Sequence, residues 1–68
     1  MTKDQIKKAK LIKHEIGAEK AGKVSEYISA INKSKRTPAS VLEAVKDKFD
    51  LSTEQAGACW RAWQLYLI

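Results

Sequence analysis

Apolar residues in this chain recur at three- and four-residue spacing along most of its length, and no stretch reads as a convincing strand. That spacing is the period of an α-helix that buries one face, so the chain is confined to packed amphipathic helices. With 68 residues and one cysteine there is no internal disulfide, and a single cysteine with a single histidine cannot build a zinc site within the chain. A domain this small has little area for a core and must rely on regular helix packing or on a second subunit. The expected fold is all-α, a single domain over residues 1–68 made of three to four short helices, with no cofactor.

Local signals place those helices. Thr2 with Gln5 three residues later has capping-box form, and Ile6, Ala9, Ile12 and Ile16 follow at helical spacing. Gly17 stands where that stripe ends, a natural place for a left-handed cap. Ala21, Val24, Ile28 and Ile31 then form a second stripe. At 100° per residue its centre is rotated by roughly 80° from the first, which favours a break near Gly17, or at Gly22, over one straight helix. Residues 32–38 are a polar, basic connector in which Thr37 before Pro38 marks a helix start. Val41, Leu42, Val45 and Phe49 share one face of the third helix. Ser52 and Gln55 repeat the capping-box spacing after Asp50-Leu51, so a fourth helix begins near Thr53. Its wide apolar face comprises Ala56, Cys59, Trp60, Trp63, Tyr66 and Leu67. The tryptophans read as packing anchors, and Cys59 as a small buried apolar residue.

Charge is unevenly placed. Residues 1–36 hold ten lysines and arginines against four acidic residues, a net +6, whereas residues 37–68 come to −1. A basic helical half is thus joined to a near-neutral apolar hairpin, with the first suited to a polyanion and the second to core or interface. Lys3, Lys7, Lys10 and His14 fall within a sector of roughly 60° on the first helix. Successive turns present cations about 5 Å apart, a spacing that can follow a phosphate backbone. Lys33, Lys35 and Arg36 add charge just before the third helix. The alternative is a solvated face supported by Asp4–Lys8 and Glu19–Lys23 pairs.

The segment from Val41 to Arg61 resembles the helix-turn-helix DNA-binding unit of bacterial and phage regulators. Val45 and Phe49 before the turn, Leu51 inside it, and Ala56 and Cys59 after it carry the resemblance. Asp50 occupies the turn position where glycine is common, and aspartate tolerates a left-handed backbone better than most residues. The resemblance implies that Ser52, Thr53, Gly57, Ala58 and Arg61 face the major groove, with the start of the fourth helix toward phosphate. An ordinary corner between two packed helices remains the alternative, with Gly57, Ala58, Leu65 and Ile68 as an outward contact surface for a protein partner or a second copy.

The leading expectation is a small nucleic-acid-binding accessory or regulatory protein, DNA being the favoured partner, from a phage or mobile element. Lys7, Lys10, Lys33, Lys35 and Arg36 are its expected phosphate contacts, and Ser52, Thr53 and Arg61 its groove readers. The rival is a protein-binding module or inhibitor that uses the C-terminal helix or the cationic half. A cationic membrane-active peptide fits less well, since eight acidic residues and defined caps point to a folded domain. No nucleophile has a base beside it in the pattern, so no enzyme is expected. No apolar run nears the ~18 residues needed to span a bilayer, and no secretory signal follows Met1. An unprocessed cytoplasmic protein is the corresponding expectation.

Overall fold

A computed structural model describes residues 2–68. Four α-helices follow in order: α1 (Lys3–Ile16), α2 (Ala18–Ala30), α3 (Pro38–Phe49) and α4 (Thr53–Gln64). A single 3-10 turn, Lys33–Lys35, lies in the connector, and no strand occurs among the described residues. The fold is the all-α bundle that the apolar spacing requires.

Each start signal is used. Thr2 Oγ1 accepts from Gln5 N at 3.2 Å while Gln5 Oε1 accepts from Thr2 N at 3.0 Å. Ser52 and Gln55 make the same reciprocal pair, each bond 3.1 Å. Thr37 Oγ1 accepts from Ser40 N at 3.3 Å, with Pro38 at a position where a missing N–H leaves nothing unpaired. Gly17 separates α1 from α2 at φ 93° and ψ 146°. This is a more extended turn than the left-handed cap expected there, and it suits glycine alone. α2 runs through Gly22 without a break. Asp50 closes α3 in the left-handed region, φ 52° and ψ 51°, and Leu51 N–H donates to Lys46 O at 3.1 Å.

The core joins Ala9 and Ile12 of α1, Val24 and Ile28 of α2, Val41 and Val45 of α3, and Ala56, Cys59 and Ala62 of α4. α4 packs against each of the other three helices, so it is the centre of the bundle. Its composition explains this: Ala56, Gly57, Ala58, Cys59 and Ala62 are small, all are buried, and they are distributed around the helix. Small side chains at the contacts let neighbouring helices approach from several sides. Gly57 and Ala58 therefore do not form the outward surface expected of them; Ala58 is only 4 % exposed, enclosed by this chain's own helices.

Larger rings stand at the rim. Trp60 and Trp63 stack with centroids 5.7 Å apart, and Tyr27 meets Phe49 edge-on at 5.7 Å. The apolar face of α4 stops short of its expected length. Tyr66 turns left-handed at φ 59°, Tyr66 N–H donates to Trp63 O at 3.2 Å, and Leu67 N–H donates to Ala62 O at 2.8 Å. These paired bonds form a Schellman cap, which leaves Tyr66 94 % exposed rather than packed. Ile68 folds back, half-buried, against the core.

Candidate nucleic-acid interface

α1 presents its cations as the spacing predicts. Ala9 and Ile12 are buried on one side, while Lys3, Lys7, Lys10 and His14 are exposed on the other. Lys13 is exposed as well, and Leu11, 51 % exposed, interrupts the polar surface. Among the described residues one ion pair forms, Lys23 Nζ to Glu19 Oε1 at 3.8 Å. The expected Asp4–Lys8 pair is not among those contacts.

The connector divides its three cations. Asn32 Oδ1 accepts from Ser34 N at 3.1 Å and from Ser34 Oγ at 3.0 Å, which sets the short turn and leaves Lys33 and Lys35 exposed. Arg36 turns inward instead. Its Nη2 donates to Ile31 O at 2.9 Å and to Ser29 O at 3.2 Å, capping the carbonyl end of α2. The guanidinium lies 4.8 Å from the Trp63 ring centroid, and Nε is buried without a partner. Expected to be a phosphate contact, Arg36 is occupied by the fold. Carbonyls at a helix end attract a cation, and a flat guanidinium stacks on an indole.

Of the residues assigned to groove reading, Ser52 and Thr53 stand at the start of α4 and Arg61 in its last turn. Ser52 and Thr53 are exposed, Arg61 is half-buried, and a shallow groove brings Thr53 and Arg61 together with Gln5 and Lys8 of α1. Glu54 lines the same groove. An adjoining hollow places Glu15 near Lys8 and Ser52, so cations and anions alternate on this face. The apolar positions of the helix-turn-helix pattern, Val45, Leu51, Ala56 and Cys59, are buried, and Phe49 is partly so. Burial pushes the Cys59 thiol up to about 11, assisted by Glu15 and opposed by Lys20, so it is neutral and inert near pH 7.

Two features were not visible in the sequence. Lys8 joins the α4 groove because α1 packs against α4. Lys20 and Lys23 of α2 meet Lys48 of α3 in a hollow beside the Gly17 break, together with Glu19 and Asp50. Both arise from contacts between helices, which one-dimensional spacing does not record. No helix among the described residues is long and apolar enough to cross a membrane. No family model, curated protein or solved structure matches the chain.

Proposed function

We propose that this protein is a small nucleic-acid-binding accessory or regulatory factor that grips duplex DNA through α1 and the connector. One observation carries the reading. The chain holds thirteen lysines and arginines against eight acidic residues, a net charge of +5, and a single intramolecular ion pair occurs among the described residues. Lys7, Lys10, Lys33 and Lys35 are exposed, with their charge left to solvent. Unneutralised like charge repels itself in the compact state, and a polyanion relieves that repulsion while releasing its own counterions.

The test is a salt titration of duplex binding. Four phosphates neutralised by Lys7, Lys10, Lys33 and Lys35 give a log–log slope of about −3.6. Replacing Lys7 and Lys10 together by alanine, or Lys33 and Lys35 together, lowers that slope by about 1.8 in each case without unfolding an exposed surface. Absence of binding at low salt would remove the proposal.

A second reading is favoured by the C-terminal turn, where Leu65, Tyr66 and Leu67 are 38 %, 94 % and 36 % exposed. In it this apolar end docks a protein partner or a second copy. Leu65→Glu then dissociates a complex that sedimentation detects for the unaltered protein, because a charge is costly to desolvate unpaired.

A further inference from the structure

We infer that this protein binds duplex nucleic acid without regard to sequence, contacting phosphates and leaving base edges unread. The inference rests on the nucleic-acid reading above and concerns which part of the ligand is recognised.

Base identity in the major groove is read best by side chains that present two groups in fixed geometry. Arginine does this for guanine through a rigid fork, and asparagine or glutamine for adenine, whereas lysine meets guanine only as a point charge on a flexible stem. The chain has six such residues: Gln5, Asn32, Arg36, Gln55, Arg61 and Gln64. Four are already engaged by the fold. Gln5 Oε1 accepts from Thr2 N, and Asn32 Oδ1 holds the Ser34 turn. Gln55 Oε1 accepts from Ser52 N while its Nε2 donates to Glu15 Oε1 at 3.3 Å. Arg36 caps α2 beneath the connector. An amide held in a cap or turn is fixed in orientation by the fold, so turning both of its groups toward adenine would break that bond.

The two that remain are poorly placed for reading. Arg61 lies back along α4, its Nη1 only 3.3 Å from where a Cβ on Gly57 would stand. It shares its groove with Lys8 and with the Glu54 carboxylate, which offsets part of the positive charge there. Gln64 is exposed, but it stands in the last turn of α4, remote in sequence from Ser52 and Thr53 at the other end. The lysines of α1 and the connector are in the opposite condition. They are exposed point charges on flexible stems, able to meet phosphate in many orientations. Most directional groups are used within the fold, and the non-directional lysines are left at its surface. Such a surface tracks the charge of the backbone, which carries no direct sequence information.

The experiment compares two 20-base-pair duplexes of unrelated sequence at one low salt concentration, and adds repeated selection from a random duplex pool. The expected result is Kd values within about threefold of each other, since a phosphate contact is the same on every sequence. The selected pool should show no consensus, and Arg61→Ala should change neither Kd by more than about threefold. A preference of about fivefold or more, the least that one bidentate base contact supplies, overturns the inference while leaving nucleic-acid binding intact. An enriched consensus does the same. Failure of both duplexes to bind overturns the proposed function itself, and this inference with it.

Discussion

Trp63 Nε1 donates a 3.1 Å hydrogen bond to Ser29 Oγ, tying α4 to the end of α2 across a sequence separation of 34 residues. The same indole carries the Arg36 guanidinium on its face, and that guanidinium caps the Ser29 and Ile31 carbonyls. One ring thus links the central helix, the end of α2 and the connector. Trp63→Ala should destabilise the protein by about 3 kcal/mol, the low end for a large aromatic because the ring is half-buried. In a domain of this size that is a large share of the total stability. Chemical denaturation followed by circular dichroism checks it, and a loss under 1 kcal/mol would show that the ring is not an anchor.

Arg36→Ala separates structure from binding. Loss of the cap and the stacking should lower stability by about 1–2 kcal/mol. The salt slope of duplex binding should stay as it is, because this guanidinium is turned inward. A slope reduced by about 0.9, one phosphate contact, would place Arg36 at the ligand instead.

The two interhelical and helical glycines predict opposite effects of one substitution. Gly22 lies within α2 with nothing within 4 Å of an added Cβ, so Gly22→Ala should stabilise by about 0.5–1 kcal/mol. Gly17 also has open space around it, but its φ of 93° strains any side chain. Gly17→Ala should destabilise by about 1–3 kcal/mol for that reason alone. Thermal midpoints that move in the same direction for both variants would contradict the backbone argument.

Local chemistry was the legible part of this chain. The starts at Thr2, Thr37 and Ser52 involve residues three apart or adjacent, and each was readable because its partner lies within a turn. The break at Gly17 was readable from the phase change between two apolar stripes. Side-chain direction at the centre of the bundle was not. Gly57 and Ala58 read as an outward face because Ala56, Cys59 and Trp63 already filled the inward one. A helix enclosed on several sides by small residues has no single inward face. Arg36 read as a surface cation beside Lys35, but its partners are the Ser29 and Ile31 carbonyls and the ring of Trp63, contacts set only by chain folding. Tyr66 continued the apolar spacing in sequence, and its left-handed backbone ended the helix instead.

Cys59 gives the protein an alkaline sensitivity. Its folded thiol is pushed up from 9.0 to about 11, chiefly by burial, so the folded state retains a proton that the unfolded state loses between those values. Stability from this group is complete below pH 9 and falls as the pH rises toward 11, by about 2–3 kcal/mol in all. The informative quantity is the difference from Cys59→Ala, whose stability should fall less steeply over the same interval. Parallel curves for the two proteins would show that the thiol does not contribute.

Tyr66 offers the last test, because its backbone and its side chain make separate predictions. The Schellman cap needs a left-handed residue at this position, and tyrosine accepts that geometry at a cost of about 1–2 kcal/mol. The ring is 94 % exposed, so little packing is lost when it is removed. Tyr66→Gly should therefore stabilise the folded protein by about 1 kcal/mol, relief of strain being partly offset by the greater freedom of glycine in the unfolded chain. Tyr66 lies outside both α1 and the connector, so Tyr66→Gly should also bind duplex DNA with an unchanged salt slope. A stabilised variant that binds DNA normally assigns the exposed ring no part in the proposed phosphate-contacting surface. A stabilised variant that has lost binding would move the interface to the C-terminal turn, where Leu65 and Leu67 flank the ring.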